Sequence, residues 1–92
     1  MILIWSIPAE ENLASIIDYI ALDNPQAALR TDEIIQNSAD SLMNFPYKGK
    51  QGRVIGTREL VVLPSYILVY EISGDTISIL DVLHTSQQYP PQ

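Results

Sequence analysis

The hydrophobic positions of this chain follow a strand-like, then a helical, then again a strand-like pattern. Ile2, Leu3, Ile4 and Trp5 make Met1–Ser6 a short apolar run, which predicts a strand. Beyond it, Ala9, Leu13, Ile16, Ile17 and Ile20 recur at helical spacing on one stripe. Pro8 suits a first helical turn, and Glu10 and Glu11 stand where the positive end of a helix dipole favours acids. These signals predict a helix over about 8–22. Asp23-Asn24-Pro25 interrupts it, with Asn24 placed as an N-cap and Pro25 at the next first helical position. A second stripe, Ala27, Ala28, Ile34, Ile35, Ala39 and Leu42, ends before Phe45-Pro46. So short a connection implies an antiparallel helical hairpin.

Two helices with one apolar stripe each need a sheet to cover, and the second half supplies it. Arg53–Leu63, Tyr66–Ile72 and Thr76–Leu83 are rich in Val, Ile, Leu and Tyr, with turn residues Pro64-Ser65 and Ser73-Gly74-Asp75 between them. Gly56, inside the first of these strands, marks a bulge or a close backbone approach. The expected fold class is α+β, in the order β-α-α-β-β-β, with the helical hairpin packed on one face of a small, mainly antiparallel sheet. Residues 1–92 are read as a single domain. Strand neighbours alternate, so Ile67, Leu68 and Tyr70 cannot all face the helices, and apolar residues on the second face signal a partner. Trp5 and Tyr19 are expected to anchor the core.

Composition narrows the chemistry. There is no cysteine, which excludes disulfides, zinc ribbons and thiol nucleophiles, and the single histidine argues against a metal site. No apolar run approaches the roughly 18 residues of a membrane span, and Met1–Ile7 lacks the basic start of a signal peptide, so a cytoplasmic protein without membrane contact is expected. No phosphate-binding glycine loop, zinc-protease helix or serine elbow is present, and no cofactor is implied. Glu10 with Glu11, and Asp32 with Glu33, read as solvated helix surface.

Charge is unevenly distributed. The chain carries 11 acids and 5 bases, net −6. Residues 1–47 hold seven acids and one base, Arg30, whereas Lys48, Lys50, Arg53 and Arg58 fall together with no acid among them. Residues 59–92 hold four acids and no base. The net charge argues against broad nucleic-acid binding. The small basic patch either grips a few phosphates or an acidic peptide, or is a solvated turn.

The sequence resembles the RelE/ParE superfamily of bacterial type II toxins. The resemblance rests on Trp5-Ser6 with Ala9, on Leu13–Ala21, on Asp23–Ala28 and Phe45-Pro46, on Gly52–Leu60, on Tyr66–Ile72, and on Val82-Leu83-His84-Thr85-Ser86-Gln87-Gln88-Tyr89-Pro90. It covers nearly the whole chain in the right order. It implies a small toxin held inactive by a cognate antitoxin whose C-terminal segment wraps the toxin surface. Operator DNA would then be bound only indirectly, through the antitoxin. Members divide into RelE-like ribonucleases that cut mRNA in the ribosomal A site and ParE-like proteins that poison DNA gyrase.

Cleavage through a 2′-hydroxyl needs a base, an acid and a cation for the developing charge. By resemblance Arg58 is the strand arginine, either a phosphate clamp or the partner of Glu59, Glu71 or an antitoxin carboxylate. Tyr89 would join Arg58 as a catalytic residue only in a ribonuclease; otherwise Tyr89-Pro90 pins the C-terminus. His84 is an acid–base candidate by its ordinary pKa, or a structural residue at a strand end. Gln87 stands where relatives commonly carry arginine, and glutamine cannot offset phosphate charge. Lys48, Lys50, Arg53, Arg58, His84 and Gln87 are the candidate target- or antitoxin-binding residues, with antitoxin acids opposite Arg53 and Arg58. The acidic chain and Gln87 favour the ParE-like reading with gyrase as target. The alternatives are a RelE-like enzyme acting with ribosome and mRNA, or a decayed toxin that still binds antitoxin.

Overall fold

The computed structural model describes residues 1–90. Strand β1 (Ile2–Trp5) leads into helix α1 (Ile7–Asp23), and helix α2 (Pro25–Ser41) follows after one residue. Then come the short strand β2 (Lys50–Gln51), β3 (Arg58–Leu63), β4 (Tyr66–Ser73) and β5 (Thr76–His84). The sheet order is β1-β5-β4-β3-β2, with β1 parallel to β5 and every other pair antiparallel. This is the expected α+β architecture, a helical hairpin over a mainly antiparallel sheet.

Caps fix the hairpin. The Ser6 hydroxyl accepts from the Ala9 N–H at 3.2 Å and donates to the Leu80 carbonyl at 3.1 Å, tying the start of α1 to β5. Asn24 serves both helices. Its N–H closes α1 on the Ile20 carbonyl at 2.9 Å, and its side chain accepts from the Ala27 N–H at 3.0 Å to open α2. The core between hairpin and sheet gathers Ala9 and Leu13 of α1, Ile35 and Ala39 of α2, Leu42, and Leu68, Tyr70, Ile77, Ile79 and Val82 of the sheet. Trp5 packs against it as expected. Tyr19 does not, and is 76% exposed, because it falls outside the Leu13–Ile17–Ile20 stripe of α1.

Two local features depart from the sequence expectation. The stretch expected as one strand over Arg53–Leu63 is instead a turn followed by β3, and the short strand β2 before it was not expected. Gly52 N–H donates to the Thr57 carbonyl at 2.8 Å and Thr57 N–H to the Val54 carbonyl at 3.1 Å, so the chain reverses within six residues. Gly56 provides the left-handed position of that reversal, at φ 86°. The close backbone approach lies at Gly52, where an added Cβ would collide with Thr57 Oγ1. In β5 the register passes from Tyr70↔Ile79 to Val69↔Asp81, leaving Leu80 as a bulge. That extra residue is why Ile77, Ile79 and then Val82, not Asp81, point to the helices.

Alternation sorts the rest. Arg58 lies opposite Tyr70 on the helix-facing side of the sheet, whereas the rows Glu59–Val69–Asp81 and Val61–Ile67–Leu83 belong to the outer side. Val69 and Leu83 are fully buried there although no helix covers them. Near the β1 edge, Ile2 and Ile4 stay exposed. No helix among the described residues is long and apolar enough to cross a membrane.

Candidate functional site

The basic cluster of residues 48–58 is divided by the sheet. On the outer side, the 52–57 turn folds Arg53 back onto Glu59. The Glu59 carboxylate accepts from the Arg53 backbone N–H at 2.8 Å, from its Nε at 3.1 Å and from its Nη2 at 3.2 Å. Glu59 is 5% exposed, and this is the one ion pair among the described residues. Burial raises the cost of charging Glu59, but the hydrogen bonds from Arg53 outweigh it and hold the carboxyl below its ordinary pKa. The same bond to Glu59 raises the pKa of Arg53.

Tyr89 completes this outer cluster. Its ring lies 5.8 Å from the Arg53 guanidinium. Burial, and then the negative charges of Asp81 and Glu59, push its phenol pKa up. Those two acids belong to one cross-strand row of the outer side, the side on which Arg53 meets Glu59.

Arg58 belongs to a different assembly. Its Nε donates to the Gly49 carbonyl at 3.1 Å and its Nη2 to the carbonyls of Gly49 and Tyr47, while its guanidinium lies 5.2 Å from the Tyr47 ring. It pairs with neither Glu59 nor Glu71. Tyr70 holds the same loop from within the core: its hydroxyl donates to the Pro46 carbonyl at 2.7 Å and accepts from the Gly49 N–H at 3.0 Å. Gly49 is required here, because a Cβ would stand 2.7 Å from the Glu59 carbonyl oxygen and 2.8 Å from the Tyr70 hydroxyl. Arg58 and Tyr70, neighbours across β3 and β4, therefore brace the 46–49 loop from two sides.

Lys48 and Lys50 are exposed and make no ion pair among the described residues. His84 closes the far end of β5 opposite Tyr66, whose ring it meets edge-on at 5.6 Å. Its Nδ1 lies 2.6 Å from the Ser86 hydroxyl and accepts from the Ser86 N–H at 3.1 Å. Gln87 folds onto it, donating its N–H to the His84 carbonyl at 2.9 Å. Gln87 Oε1 also accepts from the His84 N–H at 3.4 Å. Both residues thus build the turn that follows β5.

The structure brings Arg53 to Tyr89 and Arg58 to the 46–49 loop, and sets the two groups on opposite sides of the sheet. Tyr66 and Tyr70, opposite His84 and Arg58 respectively, are four residues apart on β4. At about 3.3 Å per residue along β4 and about 4.8 Å for each of the two strand spacings across it, the backbones of His84 and Arg58 are roughly 16 Å apart. Sequence reasoning overlooked Glu59 as the partner of Arg53 and Tyr70 as the brace of the loop. The signal for Glu59 was a single acid inside an otherwise apolar strand; Tyr70 carried none beyond its aromatic type.

The sequence profile described as the ParE toxin of the type II toxin-antitoxin system parDE matches residues 3–89. The chain belongs to the ParE toxin family. Y4kP of Sinorhizobium fredii is 41% identical to it over 87 residues, 94% of this chain and 90% of that protein. Toxin RelE2 of Caulobacter vibrioides is 32% identical over 84 residues, 91% of this chain and 94% of that one. In structure, a chain of the chromosomal ParDE system from P. aeruginosa superimposes with a TM-score of 0.82 at 24% identity, over 91% of this chain and 95% of that one. The fold of this ParE-family toxin is therefore shared with a toxin–antitoxin system. Both named relatives match it over nearly their full length.

Proposed function

We propose that this chain is neutralised by direct binding of a cognate antitoxin and that, when free, it arrests growth by binding DNA gyrase without cutting RNA. The separation of the candidate catalytic groups carries this reading. A ribonuclease needs its cation, base and acid around one phosphate. Here Arg58 faces the helix side and holds loop carbonyls, Tyr89 lies on the outer side beside Arg53, and the His84 backbone sits roughly 16 Å from that of Arg58 across the sheet. Gln87 serves the turn after β5 and adds no positive charge. Family membership supports the toxin assignment, and membership of the ParE family supports gyrase over the ribosome.

The test is induction of the chain without its antitoxin, with parallel pulse labelling of DNA and protein synthesis, and a supercoiling assay on purified gyrase. An early halt in DNA synthesis with an SOS response, and inhibited supercoiling, is the expected result. An early halt in translation, with A-site mRNA cuts lost in Arg58→Ala, would overturn it.

A further inference from the structure

The loop braced by Arg58 and Tyr70 borders an open cleft of about 490 Å³. Tyr47 lines it, with Val54 and Ile55 of the 52–57 turn, Arg58 at the start of β3 and Ile72 of β4. Tyr47 also lines the adjoining hollow of Phe45 and Lys48, so one surface runs from Phe45 through Tyr47 to Ile55. All three of these side chains are exposed, Ile55 completely. Ile55 therefore adds no burial to folding, and the turn that carries it is closed without it, by Gly52 and Thr57. Single exposed apolar residues are ordinary, but an aliphatic and two aromatic side chains on one surface mark an interaction site. The wall is also set before any partner arrives. The Tyr70 hydroxyl fixes the loop at Pro46 and Gly49, while Arg58 holds the Gly49 carbonyl and lies 5.2 Å from the Tyr47 ring. Such preorganisation lowers the ordering cost of binding.

We propose, on the basis of the gyrase reading, that this cleft is the face that seats on gyrase, and that it takes an acidic loop of the gyrase surface carrying an apolar side chain. Charge complementarity selects that occupant. Residues 48–58 hold four bases and no acid, whereas the rest of the chain holds eleven acids and one base. The field of the whole chain therefore turns this end, and no other, toward an acidic surface. No acid lines the cleft or the adjoining hollow. Lys48 is exposed and makes no ion pair among the described residues. Arg58 commits Nε and Nη2 to the loop carbonyls, while its Nη1 makes no hydrogen bond among the described residues and is left for a carboxylate. A phosphate backbone fits less well, because Arg53 is already engaged by Glu59 and the few remaining bases cannot neutralise a run of phosphates. Val54 and Ile55 suit an apolar anchor instead. The anchor supplies affinity, and the cations decide which loop is accepted.

The test titrates purified gyrase with the full chain, in a supercoiling assay and by calorimetry at low and high salt. The cleft variant is Ile55→Ser with Lys48→Glu, two exposed positions outside the core. Its control, Val61→Ser with Arg30→Glu, also removes an exposed apolar side chain and makes the same charge change, but on the outer side of the sheet and on α2. Melting curves check that both fold, and Ile55→Ser alone carries the comparison where the double variant melts early. The expected result is a roughly tenfold or greater rise in the concentration for half-inhibition in the cleft variant, and near-native potency in the control. Native affinity should fall with salt, and the cleft variant should lose part of that dependence. Equal potency in the cleft and control variants overturns the cleft while leaving gyrase as the target. Native affinity that is indifferent to salt overturns the acidic occupant. A short DNA duplex that binds the native chain without gyrase, and is released by Ile55→Ser with Lys48→Glu, overturns the protein occupant and gives the cleft to nucleic acid. A native chain that neither binds nor inhibits gyrase overturns the gyrase reading and the cleft with it.

Discussion

Arg53→Ala isolates the one ion pair among the described residues. In the native chain the Glu59 carboxylate receives three hydrogen bonds from Arg53, two of them from the guanidinium. The substitution removes those two and leaves a carboxylate that is only 5% exposed with one backbone N–H. Breaking a fully buried pair from one side costs about 3–5 kcal/mol. The Arg53 side chain is 40% exposed, so water screens the pair, and the expected loss is about 2 kcal/mol. In a domain of this size that lowers Tm by roughly 8–16 °C. Melting followed by circular dichroism at neutral pH measures it. The pH dependence supplies a second readout. The folded pKa of Glu59 lies below its unfolded value, so the pair's stabilisation is complete above the unfolded pKa of about 4.3 and is lost as pH falls through the folded one. The gap in Tm between native chain and variant therefore narrows on acidification below about pH 4. Replacing both partners by apolar residues, Arg53→Met with Glu59→Leu, recovers much of the loss because no buried charge is orphaned. A Tm for Arg53→Ala within about 3 °C of native would refute the reasoning.

Other sites make sharper structural claims. Tyr70→Phe strips two hydrogen bonds from a buried hydroxyl and orphans the buried Gly49 N–H; a loss of about 2–3 kcal/mol in urea unfolding and faster exchange of the Gly49 amide are expected. Gly49→Ala drives a methyl to 2.7 Å from the Glu59 carbonyl, so the 46–49 loop must move; a loss above about 1 kcal/mol in the same assay is expected. Arg58→Lys keeps the charge but not the fork that reaches the Gly49 and Tyr47 carbonyls together. Its loop amides should exchange faster than native ones, with the Arg53–Glu59 region unchanged.

The parts of the fold that depend on local chemistry were legible in the sequence. Asn24-Pro25 marked the hairpin because one residue type can cap both helices, and the apolar stripes named Ala9, Leu13, Ala28, Ile35, Ala39 and Leu42 of the core, although Ile34 of the second stripe is exposed. Strand β2 and the turn that separates it from β3 were not legible, because Val54 and Ile55 extend the apolar run of β3 back to Arg53. What ends the strand is a reversal closed by Gly52 and Thr57, and only the backbone shows that bond. The bulge at Leu80 was hidden for a related reason: a continuous apolar run does not reveal where its alternation skips. The candidate site inherited both gaps. Four bases within eleven residues look like one patch in sequence. The reversal at 52–57 and the alternation of Arg58 with Glu59 send two arginines to opposite sides of a sheet.

That division bears directly on Tyr89. For Tyr89 to act as an acid on a phosphate held by Arg58, its segment would have to leave Arg53 and pass round the sheet to the helix side. The ring is instead kept beside Arg53, where burial and the charges of Asp81 and Glu59 raise its pKa. Phenylalanine retains the apolar ring and its attraction for the Arg53 guanidinium, and loses only the hydroxyl. Tyr89→Phe should therefore arrest growth on induction as strongly as the native chain. A catalytic proton donor contributes on the order of 10²–10⁴ in rate, so its removal would relieve the arrest at the same expression level. Growth curves at matched toxin abundance, confirmed by immunoblot, separate the two. Relief of arrest in Tyr89→Phe, with its melting temperature unchanged, would return the outer face to catalysis and remove the ground on which gyrase binding is preferred.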